Sequence, residues 1–238
     1  MLSTLGTFQS IIPYTNSSST PTFALNTTNL LLRYNMAHSG TTVTDQMGNV
    51  NGTATATNLF QTTPIVSADM GNSFGLLDGV TRNRITTNAN LTSANRNYTI
   101  SVWIYCTGSP TGGDCKIIEL DHSEGMLLFQ NNNTNNYSWC YLNTFSLNQN
   151  VWNHLVFIDD YTNVQKKVYV NGTDLGFVSY TGNTGFFASN ATWINAGSSI
   201  GCSIASGHKP FKGYISDVRI YNRILSGTEI TAIYQKTA

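Results

Sequence analysis

Residues 151–177, VWNHLVFIDDYTNVQKKVYVNGTDLGF, decide the fold. They read as two strands joined by a tight polar turn, and Asn171-Gly172 then turns the chain into a third strand. On the first strand Trp152, His154, Val156 and Ile158 share one face, and Leu155 and Phe157 share the other. Apolar residues on both faces mark a strand inside a sheet that is covered on both sides. On the second strand Val168 and Val170 alternate with Lys167 and Tyr169, the pattern of one buried and one wet face. Asn-Gly is a strong hairpin signal, because both residues accept the positive φ that a type I′ turn needs.

Further out, three more segments show the same alternation of strand and turn. Leu31-Leu32-Arg33-Tyr34 is followed by the turn-rich run Asp45–Thr53, DQMGNVNGT. Residues 98–104 read YTISVWI, and residues 211–223 read FKGYISDVRIYNR. Together with the W-x-H run at Trp152 and the Y-V-N-G at Tyr169, they resemble the laminin-G-like branch of the concanavalin A-like family, in family order. The resemblance extends over residues 30–234, nearly the whole chain. It implies an all-β fold, a two-sheet antiparallel jelly-roll sandwich, and it implies no single function.

A chain of 238 residues can bury a proper core, and sandwiches of this size commonly form one domain. Only 10% of the residues are charged, 12 basic against 12 acidic, for a formal net charge of zero. Such a balance argues against a nucleic-acid partner held by phosphate neutralisation and against attraction to an anionic membrane. It also removes the usual electrostatic defence against self-association, which suits a protein living in an assembly with other protein subunits. Neither a secretory signal nor an apolar run of membrane-spanning length is visible in the sequence.

Residues 1–29 form a distinct Ser/Thr/Asn-rich segment, read as an extended arm ahead of the jelly-roll domain at 30–238. Ile11, Ile12, Tyr14 and Phe23 are its anchors, docking either on the chain's own domain or on a neighbouring molecule. Low charge, Asn/Thr-rich strands and the arm fit a minor capsid or fibre protein, on a virion or an extracellular surface. At the other end, Leu225-Ser226-Gly227-Thr228-Glu229-Ile230 contains a capping box, Ser226 with Glu229. A short helix, Gly227–Gln235, would then lay Ile230, Ile233 and Tyr234 onto the sandwich.

Four cysteines, Cys106, Cys115, Cys140 and Cys202, match no zinc spacing. Cys106 and Cys115 flank a Gly/Pro-rich loop, so a cross-hairpin disulfide and buried thiols are both open readings. Calcium, which some relatives of the family bind, could call on the loop carboxylates Asp78 and Asp217. The Asp78-Gly79 pair forms a turn without any metal, and Ser216 stands where the family often has an acid. No cofactor other than calcium is suggested.

Catalysis has one candidate run, Glu119-Leu120-Asp121-His122-Ser123-Glu124, whose E-x-D-x-x-E spacing resembles the catalytic strand of laminarinase-type glycoside hydrolases. That chemistry needs two carboxylates about 5 Å apart in a retaining enzyme. Strand periodicity puts Glu119 and Asp121 on one face, and Glu124 joins them only through a bulge. Around the run the sequence follows the laminin-G pattern, in which this strand is not catalytic, and the expectation is a non-enzyme. His38, His122, His154 and His208 stand in no catalytic motif. Glycan binding needs aromatic faces and amides. Tyr137, Trp139 and Tyr141 in NNNTNNYSWCYLN, with Trp193, could supply them, or could simply pack within the sheets. N-x-[ST] sequons abound in so Asn-rich a chain, and Asn51 and Asn171 are already accounted for as turn residues.

Overall fold

The computed structural model describes residues 26–61, 70–87, 97–108, 115–119, 128–130, 136–139, 143–179, 198–204 and 210–237. The arm anchors Ile11, Ile12, Tyr14 and Phe23 lie outside them. The larger sheet runs in the order Thr173–Ser179, Gln165–Val170, Trp152–Asp160, Asn97–Cys106, Lys212–Tyr221, Ser73–Asp78, Phe60–Gln61. Leu30–Tyr34 also pairs with Lys212–Tyr221, through a register shift between Leu30 and Leu32. Opposite lie a six-stranded sheet and a three-stranded one, Leu128–Gln130, Asn136–Trp139 and Asn143–Ser146. The expected antiparallel sandwich is therefore present.

Trp152–Asp160 occupies the place its sequence assigns it, interior and buried on both faces. Leu155 and Phe157 join Ile100, Val102, Val168, Val218 and Ile220 in the core between the sheets. Ile85, Ile118, Ile200 and Phe145 close that core from the other side. The opposite face of the strand carries Val156 and Ile158 into a second core under the C-terminal helix. Among the described residues no helix is long and apolar enough to cross a membrane.

The wet face expected beside Lys167 and Tyr169 needs correction. Tyr169 is buried, packed with Ile230 and Ile233, because the helix Gly227–Thr237 covers that side of the sheet. Lys166, on the other face, is also buried, with its ammonium 3.9 Å from the Asp159 carboxylate.

The helix, Gly227–Thr237, is capped as its sequence requires. The Glu229 N–H donates to Ser226 Oγ at 3.3 Å, and Glu229 Oε2 accepts from the Ser226 N–H at 3.0 Å. Arg223 grips the same carboxylate from outside with two hydrogen bonds, of 2.9 and 2.7 Å, which hold its carboxyl down at about 2. Ser226→Ala is expected to cost about 1 kcal/mol, read as a shift of the urea midpoint at constant slope.

Tight backbone positions fix the turns. Asn171 and Gly172 both have positive φ, 49° and 76°, as the I′ hairpin demands. Gly213, at φ 139°, lies so close to the Tyr105 carbonyl that any Cβ would overlap it. On its other side, facing Ser73–Asp78, the strand shifts register between Gly213 and Ile215.

Candidate ligand-binding cleft

The Asn171-Gly172 hairpin does more than reverse the chain. Asn171 Oδ1 accepts from the His154 N–H at 2.8 Å, and its Nδ2 donates to Asn153 Oδ1 at 3.3 Å. Asn153 in turn donates to the Asn148 and Val151 carbonyls at 2.9 and 3.1 Å. These side chains tie the hairpin to the loop that follows Asn143–Ser146. Between the two runs an open cleft of about 600 Å³, lined by Phe145, Ser146, Val170, Asn171, Thr173 and Leu175. Phe145 is a buried floor, whereas Leu175 stands 43% exposed at the rim. The described lining is half apolar and half uncharged polar.

Charge is kept off the described lining. Asp174 alternates away from Thr173 and Leu175, and its Oδ2 takes the Lys167 ammonium at 2.6 Å. Its Oδ1 accepts the Gly176 N–H at 2.8 Å. The same ammonium lies 4.0 Å from the Phe177 ring centre and 5.4 Å from that of Tyr169. Burial raises the Tyr169 hydroxyl pKa, and the hydrogen bond from Lys167 holds the Asp174 carboxyl down against its desolvation.

The aromatics expected to receive sugar are only partly placed. Tyr137 and Trp139 lie on Asn136–Trp139, where the register sets Tyr137 opposite Phe145 and Trp139 opposite Asn143. Backbone pairing thus puts Tyr137 beside the cleft floor. Tyr141 and Trp193 lie outside the described residues. Phe145, Val170, Thr173 and Leu175 escaped the sequence reading. The one available signal was an apolar residue, Leu175, on the strand leaving the hairpin.

Glu119 is buried and fully engaged. Its Oε1 accepts from Lys116 Nζ at 2.5 Å and Ser203 Oγ at 3.0 Å. Its Oε2 accepts from the Ile204 N–H at 2.9 Å and Ser199 Oγ at 3.4 Å. Asp121 and Glu124 lie outside the described residues.

Asp78 is a turn carboxylate, taking the Val80 and Thr81 N–H groups at 2.8 and 2.6 Å and the Thr81 hydroxyl at 2.6 Å. These bonds lower its pKa. Asp217 is wholly buried and bonded to Arg33 and Arg219. Among the described residues no three His, Cys, Asp or Glu side chains converge as a metal site would require. Cys106, Cys115 and Cys202 are buried thiols, so of the two open readings for Cys106 and Cys115 the structure has the thiols.

His154 is fully buried. Its Nε2 lies 2.8 Å from Ser101 Oγ, and its ring stacks against Tyr234 of the helix at 5.9 Å. Its Nδ1 has no hydrogen-bond partner among the described residues. Burial, aided by the Arg219 charge, pushes the imidazole down to about 3. The folded value lies below the unfolded one of about 6.5, so the neutral ring contributes fully above that pH. Its contribution is lost as pH falls from 6.5 toward 3, by about 1.4 kcal/mol per unit. Urea unfolding at pH 7 and pH 5 should therefore show wild type losing about 2 kcal/mol more than His154→Gln.

Against this geometry stand the comparisons with known proteins. A family model of the concanavalin A-like lectin/glucanases superfamily, Laminin_G_3, matches residues 78–231. No curated protein sequence matches the chain. Among solved structures, a Trypanosoma rangeli sialidase mutant displaying trans-sialidase activity superposes with TM-score 0.67 at 17% identity. That match covers 90% of this chain and 34% of the sialidase. The binding domain of botulinum neurotoxin DC, solved with rat synaptotagmin II, gives TM-score 0.63 at 14% identity, over 89% of this chain and 52% of that one. A botulinum neurotoxin type C structure, whose cell entry depends on two ganglioside molecules, gives 0.62 at 14% identity, again over 89% and 52%. This chain spans a third to a half of each, and at such identity the likeness is one of fold.

Proposed function

The chain belongs to the concanavalin A-like lectin/glucanase superfamily, and from that premise we propose that it is a non-enzymatic adhesive module holding carbohydrate in the cleft beside its Asn171-Gly172 hairpin. The observation that carries this reading is the cleft lining itself. Phe145, Val170 and Leu175 offer apolar surface to the C–H face of a sugar, with Ser146 and Thr173 beside them for hydroxyl groups. Saccharide sites are built this way, from a few polar groups set in an apolar wall. The toxin domains of the same fold, with their ganglioside and synaptotagmin partners, support recognition of a cell-surface ligand and an extracellular setting.

Binding without turnover is supported by Glu119, the carboxylate that sequence spacing marked for hydrolysis. Four protein donors hold it in a buried position, whereas a general acid or nucleophile must reach the glycosidic bond. Calcium enters no part of this reading. The narrower context, a virus particle with an assembling arm, draws on low charge, Asn/Thr-rich strands and residues 1–29, and on no residue of the cleft.

An immobilised glycan array, probed with wild type and Leu175→Asp, tests the proposal. Leu175 is a rim residue, so the variant should keep its fold and lose at least about tenfold in binding to whichever glycans wild type captures. An array on which wild type captures nothing, or on which the variant binds equally, contradicts it.

A further inference from the structure

We infer that the cleft selects a neutral saccharide and rejects sialylated or otherwise acidic ones; the inference rests on the carbohydrate reading above. It separates this chain from the structural neighbours, among them a sialidase solved with 2,3-difluorosialic acid.

The described lining contains no ionisable side chain: Phe145, Val170 and Leu175 are apolar, and Ser146, Asn171 and Thr173 are neutral. Of the two lysines on the hairpin strands, Lys166 is buried beside Asp159, and Lys167 is committed as well. It lies on the opposite face, bonded to Asp174 at 2.6 Å and seated over the Phe177 ring. To bring that ammonium to a ligand would leave Asp174 without its cation and uncover Phe177. Nor does Asn171 substitute for a cation, since its amide is neutral, with Oδ1 and one Nδ2 proton engaged by the His154 N–H and Asn153 Oδ1. A sugar carboxylate entering this cleft would exchange water for a described lining that holds no cation, which costs binding energy and returns none. The protein offers no long-range compensation either, because its formal net charge is zero. A neutral pyranose meets no such penalty. Its C–H face can lie on Leu175 and Val170 while its hydroxyls turn to Thr173 and to water at the open side.

The probes are neutral galacto-, gluco- and manno-configured oligosaccharides and the same chains capped with sialic acid, titrated against the intact chain. Wild type is expected to bind members of the neutral set, with affinity unchanged between about 50 and 500 mM salt, since no ion pair forms. Leu175→Ser should weaken that binding about tenfold. Thr173→Arg, which places a cation on the rim at an exposed position, should raise binding of the capped chains about tenfold over wild type. Wild-type binding confined to capped chains and abolished by salt overturns this inference while leaving the carbohydrate reading in place. Failure of Thr173→Arg to gain capped chains overturns it as well, because the missing cation would not be what decides. Wild-type binding to neither set overturns both.

Discussion

Asp45→Ala is expected to cost about 4 kcal/mol and to lower the melting temperature by about 10 °C. Asp45 is 3% exposed, and its carboxylate is the hub of the turn that follows the first strand. Its Oδ1 accepts the Arg33 and Met47 N–H groups at 2.9 and 3.1 Å. Its Oδ2 accepts those of Asn49 and Val50 at 2.9 and 3.1 Å. Truncation leaves four backbone donors of a half-buried turn without their acceptor, and charge-assisted bonds of this kind are the strong ones. Asp45→Asn keeps one acceptor oxygen and should lose about half as much. Equilibrium urea unfolding of the two variants checks this. A loss below about 1 kcal/mol for Asp45→Ala would mean that water replaces the carboxylate, and that the turn holds itself.

The second large effect is expected at Asp217. It sits at the bulge between Ser216 and Arg219, with a positive φ of 41°, and is wholly buried. Arg33 Nε donates to one oxygen at 2.9 Å, and the buried guanidinium of Arg219 takes the other. Asp217→Asn keeps the shape and tolerates the backbone, but it leaves Arg219 buried without its counter-charge. The cost should be about 3–5 kcal/mol. A pair of this kind is expensive to break and cheap to replace, so Asp217→Asn with Arg219→Met should recover a large part of the loss. A double-mutant cycle on the urea midpoints reads the coupling directly, and additive single losses would contradict the pairing.

Both effects show where the sequence was readable and where it was not. The D-x-x-G-N run around Asp45 could be seen as a turn, because its partners lie within a few residues of one another. Strand alternation from Trp152 to Ile158, the Asn-Gly hairpin and the Ser226–Glu229 cap are local for the same reason, and each stands as its residues imply. Asp217 read as a possible loop ligand because nothing near it reveals Arg33, 184 positions earlier in the chain. Glu119 read as a candidate acid for the same cause: Ser199 and Ser203, which hold it, lie 80 and 84 residues away. Tyr169 seemed wet because the helix that covers it is written at the far end of the chain. The cleft is the extreme case. Phe145 and Leu175 carry no pattern that joins them, and only the packing of two separate sheets makes them floor and rim of one cleft.

The most direct test of the cleft as the binding site is an amide chemical-shift titration of the labelled protein with the saccharide it binds best on an array. The account predicts shifts at Phe145, Ser146, Asn171, Thr173 and Leu175, saturating at the affinity measured by calorimetry. Saturable shifts confined to other surfaces, with these five unmoved, would contradict it.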